Sequence, residues 1–126
     1  MREAIQGDQP PGLPFSAAVR GPGVIYLSGQ VGLDPSTRKL VSADVAAQTA
    51  QTLENIRALL ESFGSSMDDV LRVGVYLTSM ESFAAMNAVY AGHFRQPFPA
   101  RTTVAVKALP LGAGVEIEVT VAERRP

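Results

Sequence analysis

The run Val115-Glu116-Ile117-Glu118-Val119-Thr120-Val121 alternates without a break between apolar and polar side chains. Successive residues of a strand point to opposite faces, so this pattern describes a half-covered sheet. Its valines and isoleucine turn toward a core, and its glutamates and threonine turn away. A chain with such a strand needs a layer to cover the apolar side. From Asp44 to Phe63 the period changes: Val45, Ala46, Thr49, Leu53, Ile56, Leu59, Leu60 and Phe63 recur at spacings of three and four. That stripe belongs to an amphipathic helix with one face on a core. Ser42 or Asp44 can cap its start, and Gly64 is placed to end it.

The remaining segments fall into place around these two. "FSAAVRG" and "VIYLSGQV" read as short strands joined by Gly21-Pro22-Gly23, and Val24 to Leu27 have the character of a largely buried strand. Asp34-Pro35-Ser36-Thr37 is a turn, with a small extra strand expected near Leu40. Ser66 followed by Asp69 caps a single turn, the role assigned to the Asp68-Asp69 pair in preference to metal binding. "VLRVGVYLTSM" is another strand. Helical spacing returns through Phe83, Ala85, Met86, Val89, Tyr90 and Phe94, until Pro97 and Pro99 stop it. In "RTTVAVKAL", Thr102, Val104 and Val106 point one way and Arg101, Thr103, Ala105 and Lys107 the other.

The order is β-β-α-β-α-β-β in a single domain over 1–126, entered through an extended, proline-rich segment at 1–13. Two long helices on one face of a mixed sheet is the natural α+β arrangement. On the other face Glu116, Glu118 and Thr120, grouped with Arg101 and Thr103, are too polar for a core, while Val24 to Leu27 are apolar on both sides. A mixed face of this kind predicts a contact between copies of the chain.

Composition narrows the function. The 126 residues are 46% hydrophobic and 18% charged, with a net charge of −1 and no block of Lys and Arg. A nucleic-acid partner held through its phosphates would need a basic face, so none is expected. The chain has no cysteine, which excludes disulfides, thiolate catalysis and cysteine-ligated zinc. The N-terminus lacks an apolar signal core, and no apolar run approaches the ~20 residues of a membrane helix. The default expectation is a cytoplasmic protein with no membrane partner.

Arg101 is the residue that stands out, because an arginine at the head of a strand is rarely buried unless paired. Glu116 and Glu118 are candidate partners within the chain. Two readings stay open: a guanidinium that reaches water, or a planar fork for a ligand's carboxylate. Glu116 is either a solvent-facing strand residue or a carboxylate that holds a water. Gly29, in "LSGQ", either ends a strand or lets a backbone approach a ligand. Asn87 reads as a surface amide, and His93, beside Gly92, as a complement to a helix C-terminus.

Several stretches together resemble the RidA family, also called the YjgF family. They are "LPFSAAV", "IYLSGQVGLDP", "AAQTAQTLENIRALLESFGSSMDDVLRVGVYLTSM", "FAAMNAVYAGHF", "FPARTTVAV" and "LPLGAGVEIEVTV", in family order from about Pro14 to Val121. The most specific piece is "FPAR" plus a hydroxyl residue, followed later by "VEIE". The resemblance implies a chorismate-mutase-like fold and a homotrimer with clefts between subunits. It implies hydrolysis of reactive 2-imino or enamino acids to 2-oxo acids and ammonia, with no metal or organic cofactor. Arg101 then corresponds to the arginine that clamps the substrate carboxylate, and Glu116 to the glutamate that orients the attacking water. Ser28, Gly29, Asn87 and Thr103 correspond to positions lining the same cleft. Phe15 stands where many members carry tyrosine, and Thr102-Thr103 where serine with cysteine or threonine is usual. A trimeric, non-catalytic binder of small carboxylates is the rival reading. Ribonuclease action, an older label in the family, would want a basic strip or an acid–base pair that the sequence does not offer.

Overall fold

The computed structural model describes residues 2–5 and 12–124. Six strands, β1 (Glu3–Ile5), β2 (Ala18–Gly21), β3 (Val24–Leu27), β4 (Val70–Leu77), β5 (Ala100–Ala105) and β6 (Val115–Ala122), form one sheet in the order β1-β2-β3-β6-β4-β5. All neighbouring strands are antiparallel except β4 and β5, which run parallel. Two helices, α1 (Val45–Ser62) and α2 (Phe83–Ala91), lie on one face. This is the expected α+β, chorismate-mutase-like architecture.

Local chemistry explains the elements. Asp44 accepts the Ala47 N–H and caps α1, while Ser42 accepts the Asp44 N–H, so both candidate caps take part. Gly64, at φ +81, ends the helix in the left-handed region that glycine adopts without strain. Leu53, Ile56 and Leu60 of α1 and Met86 and Tyr90 of α2 pack on Ile25, Leu27, Val73, Val75, Val115, Ile117, Val119 and Val121. The alternation of β6 is fully realised, with its odd-numbered residues buried. Ser66 and Asp69 form a reciprocal capping box ahead of β4.

Three details differ from the sequence-based expectation. Residues 3–5 of the entry segment form a strand that pairs with β2, so the order gains one β at its start. Residues 6–11 of that segment lie outside the described residues. The second helix is not long: after a 3-10 turn at Met80–Ser82 it runs nine residues and stops at Ala91, ahead of Gly92 and well before the prolines. The extra strand near Leu40 is a lone bridge, Leu33 to Leu40, across the Asp34 turn.

Candidate functional site

Arg101 enters β5 at the edge of the sheet. In register it lies beside Val73, which in turn lies beside Val119 on the helix-covered face. Its half-buried side chain runs under α2. The guanidinium carbon sits 4.7 Å from the centroid of the Tyr90 ring and 5.8 Å from that of Phe83. Nη1 lies 4.0 Å from the sulfur of Met86. These three side chains recur at i, i+3 and i+7 of α2, the spacing that sets one helical stripe toward a neighbour. Among the described residues no carboxylate pairs with Arg101.

Glu116 and Glu118 are on the other side of the sheet. Glu116 lies beside Tyr76, and Glu118 beside Gly74, on the face that no helix covers. The expectation that Arg101 and Thr103 share a face with Glu116, Glu118 and Thr120 is therefore wrong. The alternation within each strand holds, but the phase between β5 and β6 is set by pairing through β4, which neither strand's own sequence encodes. Val104 and Thr102, not Arg101 and Thr103, face the glutamates' side.

The sequence-predicted residues thus gather into two groups. The first is Arg101, Thr103 and Asn87. Thr103 follows Arg101 on the same face of β5, beside Val75, and Asn87 extends the α2 stripe by one residue. Thr103 Oγ1, Asn87 Oδ1 and the Tyr90 hydroxyl are all buried without a hydrogen-bond partner. Buried polar atoms are normally satisfied, so three orphans along one helix–strand seam mark it as a place apart from the ordinary core. Burial raises the Tyr90 pKa, against the lowering effect of the Arg101 charge and of its guanidinium N–H groups, which lie near the hydroxyl without meeting it in good hydrogen-bond geometry.

The second group is Glu116, Gly29, Ser28 and Phe15. Past β3 the chain bulges: Tyr26 pairs with Thr120 but Gln30 with Ile117, so β3 spends one more residue than β6 between the two pairs. Gln30 and Ile117 exchange both backbone hydrogen bonds, at 2.8 and 2.9 Å, and fix the bulge in place. The Glu116 carboxylate lies against Gly29; a Cβ there would stand 2.2 Å from Oε2. Ser28 is not a free hydroxyl, for its Oγ donates to the Ser16 carbonyl at 2.7 Å and so ties down the segment that carries Phe15. Phe15 itself is 48% exposed. Burial, and next the neighbouring Glu118 charge, raise the Glu116 pKa above the usual carboxylate value. The Tyr76 hydroxyl donates to Glu118 beside it.

His93 sits where the sequence placed it, its Nδ1 3.0 Å from the Val89 carbonyl at the end of α2. Among the described residues no three His, Asp or Glu side chains gather around a point that could hold a metal ion. No helix of these residues is long and apolar enough to cross a membrane. Sequence reasoning missed Phe83, Met86 and Tyr90 as neighbours of Arg101. The signal was present in their spacing, but it reads equally well as plain core.

A one-sided α+β sheet, with an arginine seam at its edge strand and a carboxylate on its bare face, defines the class of protein. The model of the family described as Endoribonuclease L-PSP matches residues 7–123. A RutC family protein of Pyrococcus horikoshii is 45% identical over 105 residues, 83% of each chain. The human 2-iminobutanoate/2-iminopropanoate deaminase is 38% identical over 94% of this chain and 88% of its own. The crystal structure of RidA from an Antarctic Psychrobacter species superposes with a TM-score of 0.87 at 40% identity, covering 96% of this chain and 99% of that one. The chain belongs to the Endoribonuclease L-PSP family, which is the RidA or YjgF family its motifs resemble.

Proposed function

We propose that this protein hydrolyses small 2-imino or enamino acids to 2-oxo acids and ammonia, in clefts between the copies of a homotrimer. The observation that carries the reading is the Arg101 guanidinium: half-buried, held by ring faces and a sulfur, and paired with no carboxylate among the described residues. A charge in that position has its hydrogen-bonding edge in reserve for a ligand, and a carboxylate fits it bidentately. Relatives named imine deaminases in human and in Dermatophagoides farinae, 38% and 40% identical, favour an imino acid as that ligand.

Arg101 and Glu116 lie on opposite faces of one sheet, so a single chain does not present both to one small substrate. A second copy laid on the bare face resolves this. Arg101, on the edge strand, then reaches the Glu116 and Gly29 surface of its neighbour. Arg101 holds the substrate carboxylate. The neighbour's Glu116 orients a water and takes its proton as the oxygen bonds to the imine carbon. That proton passes to nitrogen, Glu116 takes the remaining hydroxyl proton as the tetrahedral adduct collapses to a carbonyl, the carbon–nitrogen bond breaks, and ammonia leaves behind a 2-oxo acid. Positioning supplies most of the gain, because a protonated imine is already electrophilic. A glutamate whose pKa is raised by burial is the better base for it.

The test is ammonia release from enzymatically generated 2-iminobutanoate. Arg101→Ala and Glu116→Gln are each expected to lower kcat/KM by about 100-fold. Co-expressed in equal amounts, the two variants should recover about a quarter of wild-type activity, since that share of shared clefts in a cyclic assembly pairs an intact arginine with an intact glutamate. Wild-type release no faster than buffer would overturn the reading. Binding of 2-oxo acids without release would leave a carboxylate-binding protein in its place.

A further inference from the structure

A carboxylate clamp faces a conflict. Left in water, its guanidinium is mobile and well hydrated, and ordering it on binding costs entropy. Held by an internal carboxylate it is ordered, but its donors are spent and a ligand must displace the partner. Arg101 escapes both. Tyr90 lies under its guanidinium carbon at 4.7 Å, Phe83 flanks it at 5.8 Å, and Met86 Sδ touches Nη1 from 4.0 Å. A ring face attracts a cation through its quadrupole and takes up none of the in-plane N–H donors. The sulfur is a weak acceptor that a carboxylate readily outcompetes. Tyr90 is itself fixed: it is 5% exposed and packs on Phe94 with ring centroids 4.7 Å apart. Its hydroxyl is buried without a well-formed hydrogen bond, although the Arg101 guanidinium is near enough to lower its pKa. Ring and phenol thus both lie beside the cation, and only a variant that keeps one of them separates the two.

We infer that Tyr90, seconded by Phe83, is a positioning residue that presets the Arg101 fork for a carboxylate through its ring face. The inference rests on the reading of Arg101 as the carboxylate clamp. The cradle acts on the ligand's acid end alone, so it sets affinity for carboxylates as a class and is indifferent to what replaces the imine.

Two measurements on the full chain test it. In the free protein the Arg101 Nε–H resonance, assigned by its loss in Arg101→Lys, should carry a ring-current shift that disappears in Tyr90→Leu and persists in Tyr90→Phe. In titrations with 2-oxobutanoate, Tyr90→Leu should weaken binding about tenfold, and Phe83→Leu about twofold. Tyr90→Phe, which keeps the ring, should restore affinity to within about twofold of wild type, a rescue that a role for the hydroxyl would not give. With the neutral 2-oxobutanamide the Tyr90→Leu variant and wild type should behave alike. Unchanged 2-oxobutanoate affinity in Tyr90→Leu would overturn the inference, as would equal losses in Tyr90→Phe and Tyr90→Leu. Should Tyr90→Leu fail to fold, Phe83→Leu carries the same comparison. A wild type that ignores 2-oxobutanoate would sink the functional reading, while the resonance would still decide whether Tyr90 holds Arg101.

Discussion

The two faces of the sheet are made from the same strands, yet they obey different rules. On the helix side, Val115, Ile117, Val119 and Val121 are at most 2% exposed and meet Leu53, Ile56 and Leu60. On the bare side their immediate neighbours Glu116, Glu118 and Thr120 share the surface with Tyr26, 51% exposed, and Val104, 41% exposed. A face that mixes carboxylates with large apolar groups is neither a core nor an ordinary solvated surface. Strand β6 thus separates two sets of side chains by one residue: odd positions hold the domain together, and even positions take no part in its core.

Stability should divide along that line. Ile117→Ala removes buried volume that α1 cannot refill and is expected to cost about 3 kcal/mol of unfolding free energy. Glu116→Gln, one residue away and nearly isosteric, should lose no more than about 0.5 kcal/mol in the same denaturant titration. A loss at Glu116 comparable to that at Ile117 would mean that the bare face also supports the fold. Ammonia release should rank the pair the other way for activity per folded molecule.

Much of this division was legible in the sequence. The alternation in β6 fixed which of its residues face the core, and the stripe of α1 fixed the layer above them. Asp44, Gly64 and the Ser66–Asp69 box closed the elements where expected. The relation between strands was not legible. Arg101 and Glu116 each alternate properly in their own strand, but β4 lies between them, and its register decides whether the two share a face. The end of α2 was hidden because Phe94 continues the helical spacing and is buried, although the helix has already stopped at Ala91. The β1 strand was hidden in a segment whose prolines and glycines read as irregular chain. Arg101 stands out in the sequence as a strand-head arginine, and resemblance adds a role for it and for Asn87 and Thr103. The rings and sulfur around it on α2 do not stand out, since an i, i+3, i+7 stripe reads the same over a core as over a cation.

A finer break of the comparison lies at Gly29. The backbone there does not require glycine, so Gly29→Ala adds only a methyl, placed 2.2 Å from Oε2 and 2.8 Å from the carboxyl carbon of Glu116. The carboxylate is the far end of a flexible side chain and can move aside, so stability should change by less than about 1 kcal/mol. Its place beside the bulge is lost, however, and misplacing a catalytic group by about 1 Å costs up to 100-fold. An expected drop of about tenfold in kcat, with near-normal KM for the carboxylate held by Arg101, would separate the two groups of residues functionally. Equal damage to KM would argue that Gly29 touches the part of the ligand that Arg101 holds.

The smallest effect is the pH dependence, and it runs in opposite senses for the two properties. Burial and the Glu118 charge hold the Glu116 pKa above the ordinary glutamate value of 4.5. The folded state therefore keeps this proton after the unfolded chain has released it. By linkage, the stabilisation is complete below 4.5 and is lost as pH rises through the raised folded value. Glu116→Gln cannot titrate, so its stability relative to wild type should climb over that window and level off above it. In the proposed reaction the ionised carboxylate is the base, so ammonia release should rise across the same window, with an acid limb above the ordinary glutamate range. Parallel unfolding and rate profiles of the two proteins check both halves at once. A stability difference that stayed flat with pH, or an acid limb at or below 4.5, would show that Glu116 titrates like a solvated side chain and that the bare face leaves it in water.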